Sequence, residues 1–315
     1  MSVNPASIED YVCDVSKPDD FGMFWSEIMC LAADIPLNIE MILDPLRSSD
    51  GIDTYQVFYD SLDGVRVSSW YCVPKGKKGK LPALVFLPGY QMDPPIPKEW
   101  ARRGFATLAV APRGKLRSMG QFNPGYPNLL TTNITDKNTY SYRGFYVDTW
   151  RTIDVLLAQD EVDCKNIGVL GSSQGGGLAI TTAAMRKEIK AASSGAPYLC
   201  GFMDAIKLED TYPYEEINDY LRLHPEHYDL VRDTLSYFDG INFAEEIACP
   251  IIMNIGLQDN VCPPETGYAV FNSIGSKDKE LFVYEGHGHE AGRYLQTKVI
   301  CEFFDKHLKN DEIDV

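Results

Sequence analysis

The stretch from Asn166 to Leu178, NIGVLGSSQGGGL, constrains this chain more than any other. Ile167, Val169 and Leu170 make an apolar run too brief for a helix and closed by Gly171. Gly171-Ser172-Ser173-Gln174-Gly175 follows, a G-x-S-x-G pattern, and then a helix-compatible run from Leu178 to Lys187. A strand, a tight glycine-flanked turn and a helix together form a nucleophile elbow, in which the serine stands above the strand end on a strained backbone. The chain reverses so sharply there that a larger neighbour would clash. The next backbone N–H, that of Gln174, points into the same small space.

The surrounding pattern supplies the sheet that such an elbow needs. Near-continuous apolar runs predict strands at 82–87, 105–111, 167–170, 191–194, 250–255 and 280–284, with helical patterns between them, including 146–157 and 175–187. Buried strands alternating with helices imply a mainly parallel sheet covered on both faces. Runs at 54–59 and 65–73 flank Ser61-Leu62-Asp63-Gly64. Asp-Gly between them signals a hairpin, which adds antiparallel strands at one edge. Residues 1 to about 45 read as helical, and Pro18-Asp19-Asp20 opens a helix that places Phe21, Phe24, Trp25, Ile28 and Met29 on one packing stripe. The interval 198–239, rich in Tyr, Glu, Asp and Leu, interrupts the rhythm as a helical insertion of two or three helices above the sheet, a lid or an oligomer contact. A helix at 291–308 and an acidic tail at 311–315 close the chain. With no repeat, low-complexity tract or linker, residues 1–315 are expected to form one α/β domain.

A serine hydroxyl is a poor nucleophile until a base removes its proton. In this fold the acid and the histidine follow the serine in that order. Of five histidines, His224 and His227 fall in the insertion and His307 near a helix end, where a cation suits the dipole. His287 and His289 follow a strand directly, in the loop Tyr284-Glu285-Gly286-His287-Gly288-His289-Glu290. Asp259 is the first carboxylate after the strand at 250–255, in Gly256-Leu257-Gln258-Asp259-Asn260-Val261-Cys262-Pro263-Pro264. A buried Asp there would fix the tautomer of the histidine and stabilise its cation. An oxyanion needs two N–H donors, and the candidates are Gln174 and Tyr90, the latter in Pro88-Gly89-Tyr90 after the strand at 82–87. The Tyr90 ring is expected to wall off the acyl space. His-Gly-His-Glu also has the residue types of a zinc site. No further ligand stands at informative spacing, so neither metal nor organic cofactor is expected.

A formal net charge of −16 repels phosphate backbones and anionic lipid, which excludes nucleic-acid and peripheral-membrane roles. Eight cysteines without a C-x-x-C pair lack zinc-site spacing and read as free thiols. The opening MSVNPASIEDYVCDV has no basic start or apolar core, and no stretch has transmembrane length. No signal peptide is therefore expected, and the expected location is cytoplasmic.

Phe86-Leu87-Pro88-Gly89-Tyr90, Arg113-Gly114-Lys115, Gly171-Ser172-Ser173-Gln174-Gly175, the Asp259 loop, Thr234-Leu235-Ser236-Tyr237-Phe238-Asp239 and His289-Glu290 resemble carbohydrate esterase family seven. That family comprises acetyl xylan esterases and cephalosporin C deacetylases, and the resemblance runs from about residue 21 to 308. It implies an α/β-hydrolase fold, a Ser173, Asp259 and His289 triad, and Tyr90 and Gln174 as oxyanion donors. It also selects His289 over His287, because the histidine of the family precedes glutamate. The implied substrates are acetylated xylo-oligosaccharides and similar small acetyl esters, in a ring-shaped homo-hexamer. General carboxylesterases and non-catalytic binding proteins on the same scaffold are the alternatives. One departure stands out: the family carries Arg-Gly-Gln where this chain has Arg113-Gly114-Lys115.

Overall fold

The computed structural model describes residues 7–49, 51–115 and 117–309. The acidic tail and the first residues of the expected helical segment lie outside them. In chain order the strands are β1 (Glu40–Leu43), β2 (Ile52–Asp60), β3 (Arg66–Pro74), β4 (Leu81–Leu87), β5 (Ala106–Ala111), β6 (Val162–Ser172), β7 (Ile189–Gly195), β8 (Ile251–Gly256) and β9 (Lys279–Tyr284). The helices are α1 (Phe21–Ala33), α2 (Lys98–Arg102), α3 (Ser141–Leu157), α4 (Gln174–Met185), α5 (Phe202–Leu208), α6 (Glu215–Leu223), α7 (Tyr228–Ser236), α8 (Gly240–Ala244), α9 (Pro264–Ser273) and α10 (Arg293–Leu308). The strands form one sheet in the order β1-β2-β3-β5-β4-β6-β7-β8-β9. From β5 to β9 every pairing is parallel, and the β1, β2 and β3 pairings are antiparallel. This is the α/β-hydrolase fold.

Period-two alternation in the central strands builds a core on each face. Ala83, Val85 and Leu87 of β4 join the larger core with residues of α3 and α4. Leu84 turns the other way, onto Phe304 and Leu308 of α10, with Phe105 and Leu170 beside it. Each of the Val, Leu and Phe side chains among them contributes roughly 1.5–3 kcal/mol when fully buried. The hairpin between β2 and β3 turns through Asp63 and Gly64, whose φ values of 61° and 73° are those of an Asp-Gly turn.

The sequence reading of residues up to about 45 as helical is corrected here. Glu40-Met41-Ile42-Leu43 pairs antiparallel with Tyr55 to Phe58 as an edge strand. Four residues are too few for either hydrophobic period to register, so pairing with β2 decides their conformation. The insertion contains α5, α6 and α7.

The aromatic stripe of α1 packs inward. Trp25 lies 4.9 Å from Trp150 of α3 and 5.3 Å from Phe238, both edge-on, and its Nε1–H donates to the Tyr237 carbonyl at 2.9 Å. It thus ties the N-terminal helix to both α3 and the insertion. Trp25→Ala is expected to cost ~3–5 kcal/mol, read as a lowered urea midpoint; an unchanged midpoint would show that α1 is an ornament.

Candidate active site

The elbow forms because three backbones crowd at the end of β6. A Cβ on Gly175 would stand 2.1 Å from the Leu87 carbonyl oxygen, and one on Gly171 would stand 2.4 Å from the backbone of Gly175. Only glycine fits either position. Ser173 between them has φ 59° and ψ −124°, a conformation that L residues rarely hold. Its N–H donates to the Gly195 carbonyl of β7 at 2.9 Å, which fixes the turn against the sheet. Gln174 begins α4, so its N–H has no acceptor within the helix. Its buried side chain accepts from the Tyr142 hydroxyl at 2.8 Å and reaches the Pro88 carbonyl at 3.4 Å. The residue after the serine therefore links α3, α4 and the loop that follows β4.

Asp259 and His289 come from the loops after β8 and β9. His289 Nδ1 lies 2.9 Å from Asp259 Oδ2 and 3.1 Å from Oδ1. The carboxylate, 3% exposed, also accepts the N–H groups of Val261 and Cys262 at 2.8 and 2.9 Å. Both N–H groups reach Oδ1, which holds the carboxylate in place and leaves Oδ2 to the imidazole. His287 takes a different partner, Glu290, at 3.3 Å. The residue pattern alone had left the two histidines open. His224 and His227 stack on one another in the insertion beside Glu226, and His307 packs on Phe303.

Ser173 and His289 line one cavity of 480 Å³, with Phe86, Met92, Leu170 and Ile300 among its apolar walls. Cys262 lies beside Asp259 and His289, its sulfur within 4.8 Å of their ligand atoms. Burial pushes that thiol up, which disfavours the thiolate a nucleophilic attack would need.

The Tyr90 ring is not where the sequence reading placed it. It lines a smaller cavity of 120 Å³ with Lys115 and Tyr126, and is not among the residues lining the larger one. Its hydroxyl donates to Glu216 Oε1 of α6 at 2.6 Å, and that carboxylate also accepts the Leu130 N–H at 3.3 Å. Burial pushes the Glu216 carboxyl up to about 7. Neither Glu216 nor Tyr142 carries a local sequence signal; only the folded insertion and α3 bring them here.

The acetyl xylan esterase (AXE1) family matches residues 2–307. The chain belongs to the acetyl xylan esterase family. An acetyl xylan esterase from Paenibacillus sp. R4 superposes with TM-score 0.90 at 34% identity, covering 97% of this chain and all (100%) of that one. Acetyl xylan esterase 1 from Thermoanaerobacterium sp. JW/SL YS485 gives TM-score 0.87 at 27% identity, over 98% of this chain and 100% of that one. The acetyl esterase Axe7A of Xylanibacter ruminicola is 28% identical over 307 residues, 89% of this chain, and the chain spans 65% of its length.

In this esterase-family chain Arg113 anchors the segment after β5. Its backbone N–H and Nε donate to Asp148 Oδ2 at 2.8 and 2.9 Å, and Nη2 donates to Oδ1 at 3.0 Å. Nη1 reaches Asp63 in the hairpin at 2.8 Å. A Cβ on Gly144 of α3 would stand 2.0 Å from the guanidinium, so a glycine inside that helix makes room for the pair. Arg113→Ala leaves the buried Asp148 charge uncompensated and is expected to cost roughly 3–5 kcal/mol. Equal melting temperatures for the two proteins would sink this assignment.

Glu216 gives a prediction whose sign follows from linkage. Its folded carboxyl titrates higher than the unfolded one at 4.5, so the folded state binds more protons between about 4.5 and 7. Stability therefore falls as pH rises through that window. Glu216→Gln lacks this loss and should gain on wild type by roughly 2–3 kcal/mol across it. Parallel urea-unfolding curves at every pH would contradict the burial effect.

Proposed function

We propose that this chain is a serine esterase that removes acetyl groups from acetylated xylo-oligosaccharides and similar small esters, cephalosporin C included, through an acetyl-serine intermediate. The observation that carries the reading is the Asp259 carboxylate bonded to His289 Nδ1 on the cavity that Ser173 also lines. With Nδ1 given to Asp259, Nε2 is the nitrogen left to serve the serine. Ser173 Oγ attacks the ester carbonyl carbon while His289 takes its proton, and the N–H groups of Tyr90 and Gln174 hold the oxyanion. Collapse breaks the bond to the sugar oxygen, which leaves with the proton from His289. Water then adds to the acetyl-serine with His289 again as base, releasing acetate and restoring the hydroxyl. The scheme uses no metal or organic cofactor.

Family membership and the two solved relatives named as acetyl xylan esterases support this reading. A homo-oligomer, hexameric by resemblance, would cover exposed apolar side chains such as Leu46, Leu223 and Tyr294. A cytoplasmic site of action completes the proposal.

The apolar walls of the 480 Å³ cavity favour one second reading, a general carboxylesterase that seats longer acyl chains there. Rates on p-nitrophenyl acetate, butyrate and hexanoate, with acetate release from acetylated xylo-oligosaccharides, separate the two. For a deacetylase, kcat/KM should fall at least about tenfold from acetyl to butyryl, ~1.4 kcal/mol in the barrier. Hexanoate cleaved as fast as acetate would establish the general esterase. Ser173→Ala and His289→Ala should each lose at least ~10³-fold, whereas His287→Ala, whose ring faces Glu290, should stay near wild type. Full activity in Ser173→Ala would remove the serine mechanism.

A further inference from the structure

Lys115 occupies the position where the family carries glutamine, and the scheme above gives it no task. It is 2% exposed. Its ammonium takes a main-chain oxygen as partner: Nζ donates to the Gly89 carbonyl at 2.5 Å. The rings of Tyr90 and Phe145 flank the charge at 5.6 and 6.0 Å. Two backbone bonds hold Lys115 itself: its N–H donates to the Pro112 carbonyl and its carbonyl accepts the Ser118 N–H. Arg113, two residues earlier, is locked onto Asp148.

The Gly89 carbonyl and the Tyr90 N–H belong to one amide. A cation bonded to the oxygen of an amide draws electron density from its nitrogen and makes the N–H a stronger donor, as in any polarised hydrogen-bond chain. We propose that Lys115 is a positioning residue of the oxyanion loop: its ammonium orients the Gly89–Tyr90 amide and strengthens the Tyr90 N–H as donor to the reacting oxyanion. The inference rests on the reading of the Tyr90 N–H as an oxyanion donor. A glutamine in the same place also donates a hydrogen bond, but carries no charge.

The charge on Lys115 depends on its surroundings. Burial pushes its ammonium down to about 7, against the attraction of Asp93 from the loop after β4. Arg117 pulls on the same Asp93. The phenols of Tyr90 and Tyr126 line the same cavity, Glu216 of α6 accepts from the Tyr90 hydroxyl, and Phe145 of α3 is uncharged. The strengthening acts in the protonated form and fades as pH rises past neutrality.

The test measures kcat and KM for p-nitrophenyl acetate from about pH 5 to about pH 10 on wild type, Lys115→Gln, Lys115→Met and Glu216→Gln, with Ser173→Ala as reference. Wild-type kcat should turn down above neutrality. That descending limb should persist in Glu216→Gln and vanish in Lys115→Gln. Near pH ~6, kcat should fall about tenfold in Lys115→Gln and about 10²-fold in Lys115→Met, approaching the loss of a whole oxyanion donor, with KM moving less than about threefold. A wild type without the descending limb overturns the proposal, whatever the variants do. So does Lys115→Gln with wild-type kcat and an unchanged profile, or a loss that falls on KM alone. If turnover survives in Ser173→Ala, the esterase reading itself has failed. If turnover needs Ser173 but ignores Lys115, only this inference is lost.

Discussion

The carbonyl oxygen of Leu87 stands where the side chain of any residue but glycine would begin at position 175. That close approach of the end of β4 to the first turn of α4 sets the geometry of everything above the sheet. It brings Pro88 within reach of the Gln174 side chain and so fixes the start of the loop carrying Gly89 and Tyr90. The same approach holds Ser173 at positive φ, a strain of roughly 1–3 kcal/mol. The bond from the Ser173 N–H to Gly195 and the buried core beneath it offset that strain. A strained serine here reflects the overdetermination of the turn by three neighbouring backbones.

Above this turn, three side-chain clamps reach across elements distant in sequence. Arg113 joins β5 to α3 and to the hairpin through Asp148 and Asp63. Glu216 joins the insertion to the loop after β4 through the Tyr90 hydroxyl, and Asp259 joins the β8 and β9 loops through His289. The insertion thus bears on the candidate site through Tyr90. Trp25 in turn seats that insertion against α3, so a packing residue in α1 supports the insertion that holds the Tyr90 hydroxyl.

What the sequence discloses follows from the range of the forces involved. The elbow, the Asp259 loop and the His287 to His289 loop were legible because each is a short segment tied to the end of a buried strand. Local glycines and apolar runs mark such ends. The Asp-Gly hairpin was legible for the same reason. Choosing between His287 and His289 needed resemblance, since two residues of spacing say nothing about which ring meets Asp259. The edge strand at Glu40 to Leu43 was illegible because its only determinant is a partner strand. The Tyr90 ring was misplaced because its direction is set by Glu216, 126 positions away along the chain.

The two groups on either side of Tyr90 make opposite demands on pH. Glu216 is pushed up and Lys115 pushed down, each to about 7, and burial is the largest cause for both. For Glu216 the folded state holds the extra proton below neutrality, so stability is lost as pH rises toward 7. For Lys115 the unfolded state holds the extra proton between about 7 and its ordinary 10.5, so stability is gained as pH rises through that range. Together the pair leaves the fold least favoured near neutrality, where both side chains carry substantial charge. A neutral glutamine at 115 would remove the contribution of Lys115 to that cost. Keeping a lysine there sets fold stability, which prefers the free amine, against a loop that uses the ammonium to polarise its own amide.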